Sequence, residues 1–138
     1  MSALKKLILV EDDSFDAEMT IRSLKQIPLA NEIIWLETGA HLLTYLEENG
    51  TKEIAVVILD LQMPQVTGIE ALQIIREKDY PDFPIVILTS SKEAPDIKKC
   101  YELGINSFIT KPVKHEEFQK VIKTMGLYWG IINQPPIE

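Results

Sequence analysis

Two runs in this chain are apolar without a break: IAVVIL at Ile54 to Leu59 and PIVIL at Pro84 to Leu88. A strand with one wet face alternates apolar and polar residues. A strand that is apolar at every position is covered on both faces, the condition inside a parallel sheet with helices above and below it. Three more short runs, Leu4 to Val10 (LKKLILV), Ile33 to Leu36 and Ser107 to Ile109, are bounded by polar or turn residues and read as strands too. Longer segments with helical spacing separate them. They are marked by Ile21, Leu24 and Ile27; by Leu42, Leu43 and Leu46; by Ile69, Leu72 and Ile75; by Ile97, Tyr101 and Leu103; and by Phe118, Val121, Ile122 and Met125. Five strands alternating with five helices predict an α/β fold: a doubly wound, five-stranded parallel sheet in the order 2-1-3-4-5 with right-handed crossovers. At 138 residues the chain is about one domain. We place it at residues 1–130, followed by an irregular tail, 131–138, in which Pro135 and Pro136 end any helix.

In such a sheet, chemistry gathers at the carboxyl ends of the strands, near the switch in strand order. The residues that follow each apolar run are therefore the informative ones. Glu11, Asp12 and Asp13 follow the first, Asp60 the third, Thr89, Ser90 and Ser91 the fourth, and Lys111 and Pro112 the fifth. Carboxylates brought together repel one another unless a cation lies among them. A set of oxygen donors with no histidine or cysteine suits a hard ion such as Mg²⁺. A carboxylate beside that ion can attack phosphorus to give an acyl phosphate. The ion and a lysine ammonium then neutralise charge on the transferring group, and a threonine hydroxyl can hydrogen-bond it afterwards.

Composition narrows the partners. There are 21 acidic and 14 basic residues, a net charge of −7. That lacks the basic footprint needed to bind nucleic acid or an anionic membrane surface. The single cysteine, Cys100, cannot make an internal disulfide. With no signal-peptide pattern and no apolar run of membrane length, a cytoplasmic location is expected.

Four motifs, in this order and at this spacing, resemble one family. They are LILVEDD (Leu7 to Asp13), VILDLQMPQVTGIEAL (Val57 to Leu72), ILTSS (Ile87 to Ser91) and FITKP (Phe108 to Pro112). The chain resembles a response-regulator receiver domain of the CheY-like, flavodoxin-like type over nearly its whole length. The stretches YELGINSFITKPV and GLYWGIINQPP are also similar to single-domain regulators paired with bacterial phytochrome kinases. The resemblance implies that Asp60 is the phosphoacceptor and a metal ligand. It implies that Glu11 and Asp12 are the acidic pair holding Mg²⁺, with Asp12 the direct ligand, and that Gln62 offers its backbone carbonyl. Thr89 and Phe108 become the switch pair, with a phenyl ring in place of a phenol, and Lys111 pairs with the phosphoryl group. The peptide bond between Lys111 and Pro112 is expected to be cis, and Gly68 to permit a tight backbone after the acceptor. Gln62 and Ser91 stand at positions that tune phosphoryl lifetime in this family.

The resemblance also implies partners: a sensor histidine kinase or histidine phosphotransfer protein as donor, and output through protein–protein contacts, since no output segment is read after the receiver. Such a domain is not a classical enzyme; it catalyses phosphoryl transfer to its own Asp60 and slow dephosphorylation. Two other readings stand beside it. A phosphorylation-independent adaptor would lack the acceptor, the acidic pair or the lysine, and none is missing here. A phosphatase of the haloacid-dehalogenase type would carry a second acid two residues after its nucleophile, where this chain has Gln62.

Other residues carry less. Asp13 either touches the ion or starts a helix, where the dipole favours an acid. His41 and His115 stand alone and read as surface residues. Cys100 reads as a partly buried residue of the fourth helix. In the last helix, Phe118, Val121, Ile122, Met125, Trp129 and Ile132 make one apolar stripe, and Leu127, Tyr128 and Ile131 fall off it. Those three either cover the domain's edge or form a homodimer surface with the fourth helix and fifth strand. Gly126 and Gly130 are expected to bend or end the helix.

Overall fold

The computed structural model describes residues 4–28, 31–90 and 93–132. Five strands alternate with five helices: β1 (Lys6–Val10), α1 (Ser14–Lys25), β2 (Ile33–Leu36), α2 (Gly39–Asn49), β3 (Ile54–Leu59), α3 (Gly68–Glu77), β4 (Ile85–Thr89), α4 (Ala94–Glu102), β5 (Ser107–Thr110) and α5 (His115–Leu127). A π-helical turn, Tyr128–Ile132, continues α5. All strand pairs are parallel and the order is β2-β1-β3-β4-β5, as expected from the apolar runs. The reversal of order lies at β1, with β2 on one side and β3 on the other.

Each central strand sends alternate residues to two separate cores. Ile8, Val57, Leu59 and Ile87 pack with Leu42 and Leu46 of α2, Leu72 and Ile75 of α3, and Cys100 of α4. Leu7, Leu9, Val56, Ile58, Val86 and Leu88 pack with Leu24 of α1 and with Phe118 and Ile122 of α5. This is why β3 and β4 are apolar along their length until Thr89, the last residue of β4: both faces are dry, and each buried aliphatic side chain contributes roughly 1.5–3 kcal/mol.

Local signals set the helix starts. Asp13, Thr38 and Thr67 cap α1, α2 and α3 by accepting from the backbone N–H three residues on. α4 begins with Pro95 in its first turn, where the missing N–H costs nothing. Cys100, at 0% exposure, is the fully buried residue of α4, whereas Tyr101 is 51% exposed and Leu103 lies just past the helix. Of the expected apolar face, Ile97 and Leu103 are half-buried and Tyr101 is exposed, and Cys100 is more buried than expected. Burial pushes its thiol up to about 11, with Asp96 adding to the shift, so the thiol stays protonated at neutral pH.

Gly126 does not end α5. A Cβ there would lie 2.5 Å from Leu24 Cδ2 and 2.9 Å from Ile27 Cδ1, so the glycine permits close contact between α5 and α1. The π turn carries the chain past the expected boundary at Gly130. The side chains of Ile131 and Ile132 and the tail from residue 133 lie outside the described residues, as does Ser91. No helix among the described residues is long and apolar enough to cross a membrane.

Candidate functional site

The carboxyl ends of β1, β3, β4 and β5 open on one edge of the sheet. β1 ends at Val10, so the next residue, Glu11, leaves the sheet beside the first residue after β3, Asp60. The two strand ends are tied by the Asp60 N–H donating to the Val10 carbonyl at 3.1 Å. Glu11 is fixed again from β2, whose Trp35 Nε1–H donates to the Glu11 carbonyl at 2.8 Å. Single carboxylate oxygens of Glu11, Asp12 and Asp60 all lie within 4.8 Å of one another. Glu11 and Asp60 are buried and Asp12 is exposed, so the group opens to solvent on one side.

Lys111 enters from β5. Its backbone N–H donates to the Thr89 carbonyl at 2.7 Å, which joins the ends of β4 and β5. Its Nζ reaches Glu11 Oε1 at 2.5 Å, Asp16 Oδ2 at 2.8 Å and Asp60 Oδ2 at 3.2 Å. Thr89 is fully buried at the end of β4, in register with Thr110. Phe108, paired with Ile87, is half-buried against the core on the α4 side.

Three carboxylates, Glu11, Asp16 and Asp60, therefore contact one ammonium, and Asp12 lies beside two of them. Burial and the Asp60 charge push the Glu11 carboxyl up to about 8, against the pull of Lys111. Burial alone would lower the Lys111 ammonium, but its hydrogen bonds to Asp16 and Glu11 and the Asp60 charge hold it well above the usual lysine range. The pocket thus carries more negative charge than one lysine balances. A hard dication with oxygen ligands is the species that this donor set fits.

The loop after Asp60 is shaped around the same point. The Gln62 N–H donates to Asp60 Oδ1 at 3.2 Å, and Gln62 Oε1 accepts from Ser90 Oγ at 2.7 Å, linking the loops after β3 and β4. Gln65 takes a positive φ of 65° on the way to α3. A Cβ on Gly68 would lie 2.5 Å from the Asp60 carbonyl oxygen and 2.8 Å from Leu61 Cα. Only glycine lets α3 start this close to β3 without displacing the Asp60 backbone. Gly68→Ala is expected to lose about 1–3 kcal/mol by overpacking, more than the ~1 kcal/mol of helix propensity it could gain. The urea midpoint checks this, and a midpoint equal to or above wild type would refute the steric account.

Asp13 starts α1, one of the two readings given for it: it accepts from the Asp16 N–H at 3.0 Å and stands outside the Glu11, Asp12 and Asp60 group. Two other readings change. The Lys111–Pro112 bond is trans, as there is no cis peptide among the described residues; trans is the intrinsically favoured isomer even before proline. Asp16, which the sequence reading passed over, is a direct partner of Lys111. It lies in the first turn of α1, where side chains lean back toward the helix start and hence toward the acidic loop. His41 and His115 are exposed.

Residues 7–123 match the response regulator receiver domain family. The chain belongs to that family. Among its relatives, the probable methanogenesis regulatory protein FilR2 of Methanothrix harundinacea is 32% identical over 94% of this chain and 86% of its own length. Response regulator Rcp1 of Synechocystis is 29% identical over 91% and 88%. The Mn²⁺-bound form of Rcp1 superposes with a TM-score of 0.87 at 28% identity, covering 96% of this receiver and 99% of that chain. The phosphorylated cyanobacterial phytochrome response regulator RcpA gives 0.88 at 26% identity, over 98% and 100%. The receiver is a phosphoacceptor signalling domain of two-component systems, not a classical enzyme, and its acidic pocket is a divalent-metal type of site.

Metal-free stability should depend on pH through Glu11. A carboxyl whose folded value is about 8, against an ordinary 4.5, holds its proton longer folded than unfolded. Its contribution is therefore full below pH 4.5 and is lost as pH rises through 8. In chelator, the melting temperature of wild type should fall across that window, and Glu11→Gln should flatten the fall. An equally steep fall in Glu11→Gln would assign the effect elsewhere.

Proposed function

We propose that this receiver takes a phosphoryl group from a phosphohistidine onto Asp60 with Mg²⁺ as its ion, held by Glu11, Asp12, Asp60 and the Gln62 carbonyl. The observation that carries the reading is the convergence of Lys111 Nζ on Asp60 Oδ2 and Glu11 Oε1, inside the group that Asp12 completes. An Asp60 carboxylate oxygen attacks phosphorus, the P–N bond to histidine breaks, and the imidazole nitrogen leaves with the bonding pair and takes up a proton from water. The ion, when bound, neutralises charge on the transferring group. Lys111 supplies its ammonium to a phosphoryl oxygen, and the Thr89 hydroxyl donates to another once the acyl phosphate has formed. The change reaches the α4–β5–α5 face through Thr89 and the half-buried ring of Phe108. The Mn²⁺ in Rcp1 and the phosphorylation of RcpA support the metal and the acyl phosphate by likeness.

The donor is a sensor histidine kinase or phosphotransfer protein in the cytoplasm, and the phytochrome link of RcpA supports a kinase of that class. Incubation with a panel of purified histidine kinases, followed by mass spectrometry of the acceptor, tests both points. Label on any residue other than Asp60 would overturn the assignment. Exposed Tyr101 and Tyr128 support a homodimer through α4–β5–α5 and the C-terminal segment. Light scattering should then give a dimer with beryllofluoride and Mg²⁺; a monomer with and without them would remove this part of the reading.

A further inference from the structure

Lys111 has three donors on its ammonium, and three carboxylates take one each: Glu11, Asp16 and Asp60. They are not equivalent. Glu11 and Asp60 belong with Asp12 to the group suited to a cation, and Asp16 does not. A dication among the first three draws on the oxygens that Lys111 uses, and a phosphoryl group on Asp60 consumes one of them. Asp16 is the remaining carboxylate partner whose contact neither event takes away. It also sits on a rigid mount. Its backbone N–H is held by the Asp13 cap at 3.0 Å, and its carbonyl accepts from Thr20 Oγ1, a buried side chain, at 2.8 Å.

We propose that Asp16 is a positioning residue for Lys111, holding the ammonium over Asp60 so that one N–H is free for the incoming phosphoryl group. The inference rests on the reading of Asp60 as acceptor and Lys111 as its partner. A long, flexible lysine stem loses rotamer freedom when it is fixed. Asp16 imposes that loss before the donor arrives, so it is not added to the barrier. The Asp16 charge also repels the phosphoryl group, which opposes the effect. That carboxylate is 33% exposed, so solvent screens it, and the ammonium in contact with it neutralises much of its field. Positioning wins.

The test is the rate of phosphoryl incorporation from acetyl phosphate with Mg²⁺, measured by mass spectrometry in wild type, Asp16→Asn, Lys111→Ala and the double variant. Asp16→Asn should be slower by about tenfold, with Mg²⁺ affinity changed by less than about threefold. In the Lys111→Ala background the same change should have almost no effect, because there is no ammonium to position. An undiminished loss in that background, or no loss in Asp16→Asn alone, overturns the proposal. If wild type is not labelled, or Lys111→Ala is labelled as fast as wild type, the underlying site reading fails instead. Should the double variant not fold, Asp16→Glu and Asp16→Gln decide: glutamate should recover most of the rate and glutamine should not, and equal rates would sink the idea.

Discussion

Asp60→Asn is expected to abolish phosphoryl uptake from acetyl phosphate, lowering the rate by at least about a thousandfold, or ~4 kcal/mol of transition-state stabilisation. An amide at this position keeps the shape of the side chain, and its oxygen can still accept from the Gln62 N–H as Asp60 Oδ1 does, so the fold should persist. It removes the anionic oxygen that would attack phosphorus. It also removes one of the three carboxylates grouped within 4.8 Å, so metal affinity should fall in the same variant. Incorporation is read by mass spectrometry and Mg²⁺ binding by calorimetry. Normal labelling of Asp60→Asn would mean that another residue accepts the group. Loss of labelling with Mg²⁺ binding fully intact would place Asp60 outside the metal shell while keeping it as the nucleophile.

That prediction could be made from the sequence because Asp60 follows an uninterrupted apolar strand. The same logic located Glu11 and Thr89, where a strand buried on both faces runs out at the sheet edge; Lys111 follows from the parallel order, which brings the end of the half-buried edge strand β5 to the same side. The tight position at Gly68, the first helical residue of α3, was implied by the family resemblance and not by this logic. What the sequence did not disclose are contacts decided by tertiary approach. Asp16 and Lys111 are separated by most of the chain, and no periodicity links them; only the closure of α1 onto the loop after β5 brings Asp16 Oδ2 to 2.8 Å from Nζ. Asp13 continues an acidic run, so the sequence left it open between the ion and a helix start; helix α1 begins one residue later and takes its side chain as a cap. Tyr101 fell on the expected face of α4 beside Ile97 and Leu103, but the helix turns Cys100 into the core in its place and leaves the ring exposed. Gly126 looked like a helix breaker because propensity is local, whereas its cause is the passage of Leu24 against the α5 backbone.

Lys111→Ala should separate the two jobs of the pocket. Without metal, the variant leaves Glu11 and Asp60, with side chains only 3% and 7% exposed, facing each other without their ammonium. Removing one partner from a buried pair typically costs about 3–5 kcal/mol. The loss should be smaller at pH 5 than above pH 8, because the Glu11 carboxyl, already raised to about 8, takes up a proton and relieves the repulsion. Mg²⁺ substitutes for the missing positive charge, so the variant should bind it at least as well as wild type and gain more melting temperature from it, by mass action on the folded state. The phosphoryl group has no such substitute. Labelling should slow, and the spectroscopic response to beryllofluoride in the Phe108 region should disappear even with the ion at saturation. Thermal melts in chelator and in Mg²⁺ at pH 5 and 8, with calorimetry of Mg²⁺ binding, distinguish the two roles. A variant that no longer binds Mg²⁺ would make Lys111 an organiser of the metal ligands themselves, and its ammonium would then have to be reassigned from the phosphoryl group to the carboxylates.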